Sequence, residues 1–94
     1  MPYILECLDK PGSLELRLAN RPAHLDYVES QIRHVVVAGP IMAEDEKTPI
    51  GSLLILDLPD RASVEAFAAE DPYAKAGLFG SVTIRPWRLV FPKS

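Results

Sequence analysis

The ionisable side chains that stand near apolar segments are few: His24, His34, Cys7, Asp57, Asp71, Arg21, Arg85 and Arg88. Histidine exchanges a proton near neutral pH without help, which suits it to general acid or base work. His24 sits in Arg21-Pro22-Ala23-His24-Leu25. Proline belongs in a first helical turn, so the spacing predicts a helix that opens at Pro22 with His24 one or two residues inside it. There the unpaired backbone N–H groups and the positive end of the helix dipole disfavour imidazolium and leave a neutral base. An ordinary helix-surface histidine has the same signature. Asp71 lies in Asp71-Pro72-Tyr73, a junction whose aspartate commonly caps a backbone N–H. Ser52 has neither an adjacent histidine nor a G-x-S-x-G setting and reads as a hydrogen-bonding residue, not a nucleophile. Cys7 reads as strand packing and His34 as structural or solvated. Gly39-Pro40 and Gly51-Ser52 flank a polar loop and read as turn geometry. No phosphate loop, dinucleotide fingerprint or metal-binding histidine pair is present, so no cofactor and no metal is expected.

The elements that must position these residues follow from periodicity. Residues 3–8, YILECL, read as a strand closed by Asp9-Lys10-Pro11-Gly12. Ser13 reads as an N-cap before a short helical piece, LELRLA, which Arg21-Pro22 interrupts. The second piece, PAHLDYVESQIR, carries Leu25, Val28 and Ile32 on one stripe. HVVVAGPIM reads as a strand ending at Gly39-Pro40, AEDEKTPIG as a loop, and GSLLILDLP as another strand. Asp60 caps a helix RASVEAFAAE, and SVTIRPWRLVF closes the chain as an edge strand or one broken at Pro86. The order predicts an α+β ferredoxin-like βαββαβ domain spanning 1–94, with a four-stranded antiparallel sheet and both helices on one face. Leu54, Leu56 and Leu58 lie on one side of their strand and Leu53 and Ile55 on the other, while Val35–Ala38 is apolar throughout. Helices cover one face only, so a second copy is expected on the other, giving a homodimer of packed sheets. The two helices of this fold run nearly parallel, and spacing alone does not bring Asp71 to His24.

Composition narrows the function. The chain has 94 residues, 48% hydrophobic and 24% charged, with 10 Lys+Arg against 13 Asp+Glu for a net charge of −3. That is an ordinary globular balance with no clustered basic patch, and it excludes a nucleic-acid footprint. The single cysteine forms no internal disulfide, no basic leader precedes an apolar stretch, and no run reaches the ~20 residues a spanning helix needs. A cytoplasmic protein without nucleic-acid or membrane partners is expected.

Taken together, RPAHL at 21–25, AGP at 38–40, GS at 51–52, DPY at 71–73 with AG at 76–77, and the closing IRPWRLVF resemble the YCII (YciI-like) family over nearly the whole chain. The resemblance implies a ferredoxin-like fold, dimeric packing of the α+β barrel type, and a pocket in which a histidine and an aspartate form a dyad. It supplies the pairing that spacing lacks, with His24 and Asp71 as the catalytic residues. Arg21, Gly39, Pro40, Ser52 and Tyr73 fall on positions that resemble the pocket. Two departures touch its rim: no Gly-containing turn precedes the strand at Val35, and the 41–50 loop lacks the longer insertion of close relatives. A few relatives resemble lyases that eliminate chloride from chlorinated hydroxyquinols.

The expected function is a small cofactor-free enzyme of lyase or hydrolase type, with His24 shuttling a proton on a small organic ligand and Asp71 orienting the imidazole. The alternatives are a non-catalytic binding or regulatory module using the same pocket, and a cofactor-independent monooxygenase or isomerase on the shared fold.

Overall fold

Period-two alternation builds the sheet. Strands β1 (Pro2–Asp9), β2 (Val35–Met42), β3 (Pro49–Asp57) and β4 (Phe79–Pro86) lie in the order β2-β3-β1-β4, each antiparallel to its neighbours. Helix α1 spans Leu14–Ser30, α2 spans Arg61–Glu70, and a single turn, α3, spans Pro72–Lys75; a 3-10 turn at Ile32–His34 leads into β2. The computed structural model describes residues 1–93. The architecture is the α+β, ferredoxin-like arrangement that the order of elements predicts.

Leu5 and Cys7 of β1, Leu54 and Leu56 of β3 and Ile84 of β4 share the face on which Val64, Phe67 and Ala68 of α2 close the core. Burying one such large aliphatic side chain contributes roughly 1.5–3 kcal/mol. Helix α2 starts where Asp60 accepts the Ser63 backbone N–H at 2.8 Å, the cap read from the sequence. Gly51 has a physical reason to be glycine: a Cβ there would stand 2.6 Å from the Cys7 carbonyl oxygen, where β3 and β1 pair.

Three local expectations are corrected. Helix α1 is one helix with Pro22 inside it, not two pieces parted at Pro22, and His24 therefore lies mid-helix. The argument that a helix N-terminus keeps its imidazole neutral falls with that placement. Pro22 is exposed and forfeits one backbone bond, while Arg17 before it and His24 after it are both tied to the rest of the molecule. Those anchors hold the two halves in line. Secondly, β2 does not end at Gly39-Pro40 but runs on to Met42, with Gly39 opposite Leu53 and Pro40 opposite Ser52. An edge strand tolerates a proline. A Cβ on Gly39 would meet nothing within 4 Å, so neither a turn nor crowding calls for glycine there. Finally, Ser13 stands at the N-cap of α1, but its side chain makes no capping bond. The last strand is as the sequence reads: β4 stands at the sheet edge and ends at Pro86, after which the Trp87 N–H still donates to the Pro2 carbonyl at 2.9 Å.

The far face of the sheet is bare of helices. Register places Ile4, Leu8, Leu53, Ile55 and Val37 on it, with Glu6, Thr83 and Arg85 among them. Helix α1 is unusual too. Arg17 is its one buried residue, whereas Leu14, Leu16, Leu18 and Leu25 are exposed. It packs chiefly against α3 and stands off β2, leaving a cleft between them. No helix is long and apolar enough to cross a membrane among the described residues.

Candidate active site

Positions 17, 21, 24 and 28 of α1 recur at helical spacing and share one side. Arg17, Arg21, His24 and Val28 accordingly line one wall of the cleft between α1 and the sheet. The facing wall is β2 from Val35 to Pro40, with Ser52 and Leu54 of β3 and Tyr73 of α3 at the base. The cleft holds about 370 Å³, enough for a small organic molecule. Arg17, Arg21, His24 and Tyr73 are its ionisable lining, and no carboxylate faces it.

Asp71 reaches His24 because the chain turns at Asp71-Pro72 and lays α3 against α1. The Nδ1 of His24 lies 2.9 Å from Asp71 Oδ1 and 3.0 Å from Oδ2. With Asp71 ionised, that nitrogen carries the proton and donates it; Nε2 is left without a partner among the described residues. The same Oδ1 accepts the Tyr73 backbone N–H at 2.9 Å. Capping and pairing with histidine are thus not alternatives for Asp71, which does both. Its side chain is 4% exposed and that of His24 12%. The His24 ring also lies flat on the Tyr73 ring, 4.0 Å between centroids. Burial pushes the Tyr73 phenol above its ordinary value against the pull of Arg17 and Arg21, so the ring is a neutral platform.

A second cluster adjoins the first, and the sequence reading missed it. The Arg17 Nε donates to Asp9 Oδ2 at 2.7 Å, and its Nη2 donates to Asp9 Oδ1 at 3.1 Å and to Ser52 Oγ at 2.8 Å. The guanidinium carbon stands 4.6 Å from the centre of the Tyr73 ring. Burial works against the charge on Arg17, but the hydrogen bonds and charge of Asp9, together with Tyr73, more than offset it and hold its pKa above the ordinary value. Ser52, 3% exposed, braces this arginine and stands in no nucleophilic arrangement. The signal was present as the i, i+4, i+7 spacing of Arg17, Arg21 and His24, which the supposed break at Pro22 concealed.

Every residue read as catalytic or pocket-lining is in this region. His24, Arg21, Gly39, Pro40, Ser52 and Tyr73 line the cleft, and Asp71 stands behind His24. His34 and the exposed Arg85 and Arg88 do not line it, and Asp57 lies at the surface beside the N-terminal amine. Cys7 is buried in the core; burial, with Asp71 and Asp9 behind it, pushes its thiol up to about 12. Among the described residues no group of three His, Cys, Asp or Glu side chains converges as a metal site would require.

Known proteins match this chain closely. The family model of the YCII-related domain covers residues 1–88. The protein YciI of Escherichia coli O6:H1 (strain CFT073) is 36% identical across 97% of this chain and 100% of its own length. An uncharacterised protein of Haemophilus influenzae is 33% identical across the same shares. Among solved structures, the 5-chloro-2-hydroxyhydroquinone dehydrochlorinase of Burkholderia phenoliruptrix AC1100, in complex with 2,5-dihydroxybenzoquinone, superposes with a TM-score of 0.87 at 35% identity, covering 94% of each chain. An antibiotic biosynthesis monooxygenase at 18% identity and a TM-score of 0.55 shares the fold. Matched from its first strand through its last by that family model, the chain belongs to the YCII-related family.

Proposed function

We propose that the protein is a small enzyme that uses His24 and Asp71 for acid/base chemistry of the elimination type on a small organic substrate held in the α1–β2 cleft. The observation that carries this reading is the hydrogen bond from His24 Nδ1 to Asp71, which leaves Nε2 of a cleft-lining ring without a partner among the described residues. Nε2 takes a proton from an acidic O–H or C–H of the substrate. The electron pair left behind becomes a new π bond as the leaving group departs with its own pair. Asp71 offsets the charge of the imidazolium and holds its tautomer, and the ring then returns the proton to water or product. Arg21, Gly39, Pro40, Ser52 and Tyr73 shape the pocket. The structural likeness to a dehydrochlorinase supports elimination over hydrolysis.

The test is a thermal-shift screen of hydroxylated and chlorinated aromatics, lactones and carbonyl compounds, 2,5-dihydroxybenzoquinone included, followed by chloride release from chlorinated hydroxyquinols. Ligands of the cleft raise the unfolding temperature by mass action. Turnover should fall by about 10²-fold or more in His24→Ala. A chain that binds such ligands and turns over none of them would be a binding or regulatory module, the second reading of the same cleft.

The same proposal makes the protein a cytoplasmic homodimer through the bare sheet face. Sedimentation at micromolar concentration should give a dimer, and Val37→Lys, a charge on a side chain 58% exposed on that face, should give a monomer. A native monomer would contradict it.

A further inference from the structure

We propose that Arg17 is the anion anchor of the cleft, and that the ligand it selects carries an oxyanion: a phenolate, an enolate or a carboxylate. The inference rests on the cleft being the ligand site, as proposed above, but not on turnover there.

A guanidinium has five N–H bonds in a fixed planar fork. Three of Arg17's are committed inside the protein: Nε–H to Asp9, and the two on Nη2 to Asp9 and Ser52. The two on Nη1 make none of these bonds; the Tyr73 phenol, itself in the cleft lining, is the polar group that stands by this guanidinium on the open side. No buried side-chain nitrogen or oxygen in the described structure lacks a partner, so Nη1 is not sealed in the core. Arg17 lines the cleft, and the cleft is where that nitrogen is accessible.

An arginine serving packing alone has no use for this arrangement. Burying its charge is costly, and a purely structural residue would spend every donor on the protein. Here Asp9 and Ser52 fix the fork from behind, and both carboxylates of the region, Asp9 and Asp71, stand outside the cleft lining. The ligand therefore meets donors and no acceptor carboxylate, although the whole chain is acidic. Arg17 and His24 also contact the same Tyr73 ring, at 4.6 Å and 4.0 Å. The anchor and the proposed base are thus neighbours about one aromatic ring. Both also line the one cleft, so a ligand anchored by its oxyanion at Arg17 lies in the same space as the His24 ring.

The test uses 4-nitrophenol, whose phenol and phenolate differ in colour, with benzoate and benzamide as a charged and neutral pair. In the native chain the bound nitrophenol should titrate at a pH lower than the free compound by about one unit or more, because a charge-assisted donor favours the anion by about tenfold or more. Benzoate should bind more tightly than benzamide. Both preferences should vanish in Arg17→Gln and weaken in Arg17→Lys, which keeps the charge and loses the fork. Should Arg17→Gln unfold because Asp9 is left unpaired, the double variant Asp9→Asn, Arg17→Gln removes both charges and is read instead. In the native chain, moreover, the Arg17 side-chain resonances should move on adding the phenolate. His24→Gln should keep the anion preference while losing turnover, so the anchor can stand where the dyad reading falls. The proposal is overturned by folded Arg17 variants that keep the preference, by its loss in His24→Gln instead, or by a native chain that ignores both phenolate and benzoate.

Discussion

The imidazole of His24 lies flat against the phenol ring of Tyr73, with 4.0 Å between centroids and 14° between planes. The stack turns the ring so that Nδ1 meets Asp71, and the backbone N–H of Tyr73 holds the same carboxylate from the other side. One residue thus orients both members of the pair. Tyr73→Phe keeps the ring and should retain most of the turnover. Tyr73→Leu removes a stack of about 0.5–1.5 kcal/mol and leaves a void under His24, and should lower both stability and kcat. Denaturant unfolding and steady-state kinetics on the two variants check this.

Pro22 should be dispensable. It sits exposed within a helix that its neighbours already hold straight, and proline in a helix interior is about 3 kcal/mol less favourable than alanine. Pro22→Ala should raise stability by about 1–3 kcal/mol, read from chemical denaturation, without loss of turnover. A loss of both would mean that the proline shapes the helix around His24.

The thiol of Cys7 should weaken the fold in alkali. Burial raises it from 9.0 to about 12, so the folded chain keeps a proton that the unfolded chain releases. The stability tied to this group is complete below pH 9 and drains away as the pH climbs to about 12, by on the order of 4 kcal/mol at most. Cys7→Ala should flatten that part of the pH–stability curve. Equal slopes for the two chains would contradict it.

The sheet was legible because its rule is local. Alternating apolar residues in β1 and β3, and the Asp60 cap on α2, need no partner distant in sequence to be read. Helix α1 was misread because its continuity is decided elsewhere: the proline rule is local, while Asp9, Ser52 and Asp71, which tie the helix down, belong to β1, β3 and the turn before α3. For the same reason Arg17 passed unnoticed, an arginine in a leucine-rich stretch whose buried partners lie on other elements. The pairing of His24 with Asp71 came from resemblance alone, since helices running nearly parallel gave no reason for it. The missing step was α3, four residues that fold back on α1. Capping and pairing looked exclusive for Asp71, yet a carboxylate has lone pairs enough for both donors.

The most direct test of the account is a double-mutant cycle on His24 and Asp71, read as kcat/KM on a substrate from the elimination screen. If Nε2 moves the proton and Asp71 works only through Nδ1, then His24→Ala and Asp71→Asn each lower kcat/KM by about 10²-fold or more, and the double variant is little worse than His24→Ala alone. Asparagine still caps the Tyr73 N–H, so the Asp71→Asn chain should stay folded while losing activity. Full activity in Asp71→Asn, or losses that simply multiply in the double variant, would show that the two residues do not act as a unit and would contradict the account.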